Sequence, residues 1–288
     1  MSITIRRATI DDAPVCGHIL YTAFKTLADQ HGFPPDFHAE EDATSIIAGL
    51  IAHPAIFAVV AEYAGKIVGS NFLDERDEIR SVGPISVHPQ AQGRGVGRRL
   101  MEEVLQRAEG QNVRLLTDGF NITSIPLYAT LGFEIREPVL LLSGRPRNAL
   151  HTDLEVRHMT EQDLDACATL CQQVLGYQRL NALRDMLKEP LCAPFVALRT
   201  VKMVAYLTAA TFWVFNHGVA ETDEDMQALL LGAAAASEEP LALLVPCRET
   251  RFFRWCLEQG LQVVKPIIFM TIGAYQDPKG CYFPSIEY

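Results

Sequence analysis

Residues 84–101 read PISVHPQAQGRGVGRRLM, with Gly93, Gly95 and Gly97 falling within five positions just before a run of helical character. Glycine is costly to order and contributes no packing, so three at alternate positions imply a need for bare backbone. Backbone N–H groups at a helix start lack intrahelical partners and carry the positive end of the helix dipole. A phosphate fits there, and residues without side chains let it come close. Arg94, Arg98 and Arg99 add positive charge beside the turn in a chain whose formal net charge is −10, which points to an anionic ligand. The spacing is not that of a P-loop, because no Gly-Lys-Ser/Thr follows, nor that of the dinucleotide fingerprint, because these glycines alternate.

The acidic balance argues against a nucleic-acid surface and has the wrong sign for an anionic membrane. At 288 residues the chain is long enough for two domains. Seven cysteines without framework spacing suit a reducing compartment. The opening MSITIRRATIDDA has no apolar segment of signal-peptide length, and no stretch approaches a membrane span, so a cytoplasmic location is expected.

Periodicity predicts strand 3–7, helices 12–28 and 40–52, and strands 55–63, 66–74 and 80–87. Helix 95–109, strand 112–118, helix 123–131 and strand 133–142 follow. Ala64-Gly65 marks a hairpin turn. Thr9 is expected to cap the first helix, and the segment from Leu154 repeats that plan with Arg157, Thr160 and Asp163. The polar stretch 143–153 reads as a linker. Sliding the chain by 128 positions places Gly132 on Gly260 and Pro138 on Pro266, which is most simply explained by internal duplication.

The motif Gln92-x-x-Gly95-x-Gly97, following Val87-His88-Pro89, resembles the acetyl-CoA pyrophosphate loop of the GCN5-related N-acetyltransferase (GNAT) superfamily. The downstream run Asn121-x-x-Ser124-x-x-x-Tyr128-x-x-Leu131-Gly132-Phe133 resembles the second signature of that superfamily, in the same order and at a typical separation. The resemblance covers about residues 3–142. It implies an α/β (α+β) fold of two tandem acetyltransferase-like domains, 1–147 and 153–288. Each would be a mixed, mostly antiparallel sheet with a splayed central strand pair flanked by helices.

The reaction it implies is direct attack of an amine on the thioester of acetyl-CoA, with no metal. Gln92, Gly93, Arg94, Gly95, Val96, Gly97 and Arg98 would hold the pyrophosphate, and Ile85, Ser86 and Val87 the pantetheine arm and carbonyl. Gly83-Pro84 should interrupt the ladder beside that strand, since proline lacks an N–H. Asn121 and Ser124 match cofactor contacts, although Asn121 could equally cap a helix. Tyr128 matches the general acid to the departing thiolate, or else is a core aromatic. For the general base, Glu78 lies nearest the strand start within LDERDEIR, a stretch that also reads as a solvated turn. His31, Phe33 and Phe37, around Pro34-Pro35, would grip the acceptor.

The second half keeps the pattern and loses the loop. Only Gly218 remains there, followed by Glu221, Asp223, Glu224 and Asp225, and the 128-residue shift sets Cys256 opposite Tyr128 and Glu249 opposite Asn121. That half is expected to be a degenerate copy that completes the acceptor cleft or forms an oligomer interface, as in a homodimer. The closing stretch AYQDPKGCYFPSIEY suits docking against a surface. The expected acceptor is a small-molecule amine. The alternatives are a non-catalytic acyl-CoA sensor, a protein N-acetyltransferase, or transfer of a longer acyl chain.

Overall fold

The computed structural model describes residues 3–148, 152–189 and 192–286. Residues 149–151 of the expected linker, and the chain's first two and last two residues, lie outside that range. The chain forms two compact units. One comprises the residues through Leu115 with Phe120–Glu134; the other comprises Leu116–Gly119 with Ile135 onward.

The first unit runs β1 (Ile3–Arg7), α1 (Ala13–His31), α2 (Glu40–Ala52), β2 (Ile56–Tyr63) and β3 (Lys66–Asp74). It continues with β4 (Ile79–Val82), β5 (Ser86–Val87), α3 (Val96–Arg107), β6 (Asn112–Asp118), which belongs to the second unit from Leu116 on, and α4 (Ser124–Thr130). Helix α1 ends at Gly32, whose φ of 71° gives the left-handed residue that closes a helix. The β2–β3 hairpin turns at Ala64 and Gly65, both with positive φ, as a two-residue type I′ turn requires. Leu20, Ile47, Val60 and Phe72 form the core between these helices and the sheet.

The strand expected over 80–87 is in two pieces, broken at Gly83-Pro84. β4 pairs β3 and, in parallel, β6 from Ile79↔Asn112 to Ser81↔Arg114. β5 pairs β3 through Gly69↔Val87 and Ser70↔Ser86. The sheet therefore splays beyond β4, and the splay positions the site.

The next strand, β7 (Glu134–Gly144), was grouped with the first half on sequence but lies in the second unit from Ile135 on. The reason is packing. Val139 and Leu141 share a buried cluster with Leu244, Ile267 and Phe269. The second unit continues β8 (Glu155–His158), α5 (Leu164–Leu175), α6 (Leu180–Met186), β9 (Phe195–Arg199) and β10 (Lys202–Leu207). It closes with β11 (Gly218–Ala220), α7 (Asp223–Ala235), β12 (Leu241–Pro246), α8 (Thr250–Glu258), β13 (Gln262–Ile272) and β14 (Cys281–Phe283). β7 lies between β13 and β12, while β14-β11-β10-β9-β8 form an antiparallel sheet.

The two units repeat each other in detail. Arg6 donates to Asp12 at 2.7 Å and the Thr9 N–H bonds the same carboxylate at 2.7 Å. Arg157, Asp163 and Thr160 reproduce both bonds at 2.7 and 2.8 Å. In each case the arginine hydrogen bond is the chief cause that holds the carboxyl down to about 2. The Phe133 N–H bonds Tyr128 O, and the Leu261 N–H bonds Cys256 O, both at 3.1 Å. Gly132 and Gly260 have φ of 99° and 97°. The opening motif repeats at a shift of 151 residues, and over the last helix and strand the 128-residue shift read from the sequence is a structural equivalence.

Candidate active site

A cleft of about 630 Å³ opens in the first unit where the sheet splays. It is lined by α1 residues from Ala23 to His31, by Ile85, Ser86 and Val87, by the Gln92–Arg98 turn except Arg94, and by Phe120–Ser124, Leu127 and Tyr128. Its floor follows from strand alternation. The His88 N–H bonds Val68 O on β3 at 2.9 Å, so the neighbouring N–H groups of Val87 and Ile85 turn to the opposite edge, into the cleft. The Gln92 amide donates to Val87 O at 3.1 Å and ties the turn to the strand end.

Above the strand end, the turn delivers the start of α3. Gly93 and Gly95 have φ of 73° and 82°, in the left-handed region, and a Cβ on either would meet nothing within 4 Å. Backbone conformation therefore favours glycine there. Gly97 differs: its φ is ordinary, and a Cβ would make only van der Waals contact with Leu127 and Val87, at 3.6 and 3.8 Å. Neither conformation nor crowding by the protein requires its bareness, whereas a ligand seated over the helix start would.

The three arginines divide. Arg98 lines the cleft and donates to Thr130 Oγ1 at 2.8 Å. Arg99 is tied to Ile3 O at 2.8 Å, and Arg94 lies over the Tyr63 ring, 5.8 Å from its centroid. Arg94, expected to help hold the pyrophosphate, is not among the lining residues, its guanidinium lying over Tyr63 on β2.

Tyr128 borders the cleft from α4 while only 4% exposed, with its ring edge-on to Phe133 at 6.2 Å. Asn121 lines the cleft, and its Oδ1 accepts from the Ser124 N–H at the start of α4 at 3.1 Å. Glu78 is exposed on the turn before β4 and is not among the lining residues, so the candidate base and Tyr128 are not brought together. His31 does line the cleft, whereas Phe33 and Phe37 stand behind the wall. Phe33 stacks on Phe120 at 4.3 Å, and Phe37 packs on Phe24 at 6.0 Å; Phe120 and Phe24 are the rings that face the space. Phe120 and Phe24 were missed on sequence, though FNITS places Phe120 directly before the signature asparagine.

None of the described lining residues is Asp or Glu. His31 Nδ1 lies 3.0 Å from Leu27 O. A carbonyl only accepts, so Nδ1 is the donor there, and Nε2 is the ring nitrogen free of that bond. The cleft thus combines a helix start stripped of side chains, strand N–H groups without a neighbouring strand, a phenol and an imidazole.

Residues 20–133 match the acetyltransferase (GNAT) family model. The N-alpha-acetyltransferase RimI of Mycobacterium tuberculosis is 30% identical over 158 residues, which is 52% of this chain and 92% of that protein. Acetyltransferase SG1711 of Sodalis glossinidius is 33% identical over 95 residues, 32% of this chain and 66% of that protein. Among solved structures, a GCN5-related N-acetyltransferase from Sphaerobacter thermophilus superposes with a TM-score of 0.62 at 17% identity, covering 97% of this chain and 98% of that one. A tandem GNAT protein from the clavulanic acid biosynthesis pathway gives 0.61 at 13% identity, covering 96% and 100%. These structural likenesses extend the fold over both units. The chain belongs to the GNAT acetyltransferase family, with the tandem architecture its internal repeat implied.

Proposed function

We propose that the chain is an N-acetyltransferase that uses acetyl-CoA as donor, with its reaction centre in the first-unit cleft and a small-molecule amine as acceptor. The observation that carries this reading is that the Val87 and Ile85 N–H groups turn into the same cleft as the Gly93–Gly97 helix start and Tyr128. The pyrophosphate sits on the start of α3, and the pantetheine arm runs along β5 as an added strand would. The thioester, at the far end of that arm from the phosphate turn, then places its carbonyl at the Ile85 N–H, which stabilises the developing oxyanion.

The amine nitrogen bonds to the carbonyl carbon, the C–S bond breaks with its electron pair on sulfur, and Tyr128 gives its proton to the thiolate. The proton that leaves the amine goes to His31 Nε2, which replaces Glu78 as the base. Because no carboxylate lines the cleft, an acceptor with an apolar body against Phe24 and Phe120 fits better than a polycation.

A second acceptor class, the N-terminal amine of a polypeptide, is favoured by one observation, the likeness to an N-alpha-acetyltransferase over 92% of that protein. Thiol release from acetyl-CoA against a panel of small amines and a peptide α-amine separates the two. Tyr128→Phe should reduce turnover at least about tenfold, and His31→Gln should do the same. Gly95→Asp should abolish binding in a calorimetric titration while the fold persists, because aspartate is among the few residues that adopt the left-handed conformation, at a cost of about 1–2 kcal/mol, and its Cβ meets open space. Unchanged affinity would refute the loop assignment.

A further inference from the structure

We propose that β14 fills, in the second unit, the groove that the pantetheine arm takes in the first, so that the chain binds one acyl-CoA and supplies its own occupant for the second groove. This rests on the cofactor reading of the first cleft. The equivalence of the two grooves is set by register. β3 and β10 both open on lysine, Lys66 and Lys202. The His88 N–H bonds Val68 O at 2.9 Å, and the Glu221 N–H bonds Val204 O at the same distance. Gly69↔Val87 therefore corresponds to Ala205↔Ala220, and Ser70↔Ser86 to Tyr206↔Val219. Val87 and Ile85, whose N–H groups face the first cleft, have Ala220 and Gly218 as counterparts.

Those two counterparts are paired with a strand. Ala220 pairs with Cys281 and Gly218 with Phe283, while β14 also packs beside β12, the equivalent of β6. Cys281, Tyr282 and Phe283 are 1%, 3% and 0% exposed, so the segment is buried as deeply as a core strand. It is anchored on both sides, by Lys279 N–H to Val174 O at 2.8 Å and by Ile286 N–H to Val214 O at 3.0 Å. Gly218 is bare because of this occupant: a Cβ there would stand 2.2 Å from Phe283 Cζ. The one glycine that survives in this region of the second half makes room for a phenylalanine ring.

The phosphate end is closed as well. The stretch Pro89–Gly95 between His88 and α3 shrinks to Thr222 alone between Glu221 and α7. Thr222 Oγ1 accepts from the Asp225 N–H at 3.2 Å, using a donor that a phosphate would otherwise take. Asp223, Glu249 and Cys281 bring their polar atoms within 4.8 Å of one another at that mouth.

The test combines native mass spectrometry with hydrogen exchange on the whole chain, with coenzyme A as probe. One coenzyme A per chain is expected, slowing exchange in residues 85–99 and leaving 281–283 protected and unchanged. Gly95→Asp should bind none. A second coenzyme A, or one retained by Gly95→Asp that alters exchange at 218–220 and 281–283, would overturn the inference. So would rapid exchange at 281–283 in the free protein. A retained coenzyme A that still protects 85–99 would refute the loop assignment, and an absence of all binding the cofactor reading, with the β14 inference separately judged by protection at 281–283.

Discussion

Gly218→Ala tests the β11–β14 packing with one carbon atom. The φ at this position is not positive, so alanine suits the backbone and the effect is steric. The added Cβ would lie 2.2, 2.5 and 2.7 Å from three Phe283 ring atoms, well inside van der Waals contact. Phe283 is 0% exposed and its ring cannot retreat into solvent. Overpacking of this kind costs about 1–3 kcal/mol. Phe283→Ala should cost about 3–5 kcal/mol through the cavity it leaves. In the double variant the new methyl enters vacated space, so the combined loss should fall short of the sum by about 1–3 kcal/mol. The chain's two tryptophans, Trp213 and Trp255, both belong to the second unit, so urea unfolding followed by intrinsic fluorescence reports on that unit. A Gly218→Ala variant within about 0.5 kcal/mol of the parent, or strict additivity in the double variant, would refute the packing argument.

Asp12 and Asp163 have carboxyl groups held down to about 2, chiefly by hydrogen bonds from Arg6 and Arg157. Their contribution is complete above the ordinary carboxylate range and is lost as pH falls towards 2, so Asp163→Asn should flatten the acid limb of a fluorescence-detected pH–stability curve. Glu249 behaves in the opposite way. Burial first, and Asp223 next, push its carboxyl up to about 7, so stability declines as pH rises from the ordinary carboxylate range through 7. Glu249→Gln should therefore raise Tm at pH 8 and leave it nearly unchanged at pH 5. Lys265 Nζ and Asp118 form a buried pair at 2.7 Å, with 3% and 11% side-chain exposure. Asp118→Asn should cost about 3–5 kcal/mol in chemical denaturation, whereas replacing both by apolar residues of similar volume should recover much of that.

Local periodicity was enough to place nearly every element of the first unit, because its helices and strands alternate with clear glycine and proline stops. The break at Gly83-Pro84 was legible for the same reason: proline removes a ladder donor. The loop motif and Tyr128 were legible as a pair and converge on one cleft. Side-chain direction was not. Arg94 and Glu78 stand at the right places in the chain, yet one lies on Tyr63 and the other on an exposed turn, choices made by neighbours distant in sequence. Phe33 and Phe37 were recognised as aromatic, but it is the rings they support, Phe120 and Phe24, that face the space. β14 was hidden because three residues carry no period; only the tail's aromatic composition hinted that it docks.

The pairing of β7 with β12 sets a timetable for synthesis. β7 leaves the ribosome well before its partner, since Val139 pairs with Pro246 and Gly144 with Leu241, roughly 100 residues later. At about 5–20 residues per second that interval is about 5–20 s, during which an apolar strand is made and has no neighbour. A ribosome stalled near the 143–153 stretch would hold the first-unit elements complete, with β7 still lacking its partner. Such stalled chains are the ones in which chaperone engagement should be greatest, and a stop codon placed at 147 should yield aggregate where the full reading frame yields soluble protein.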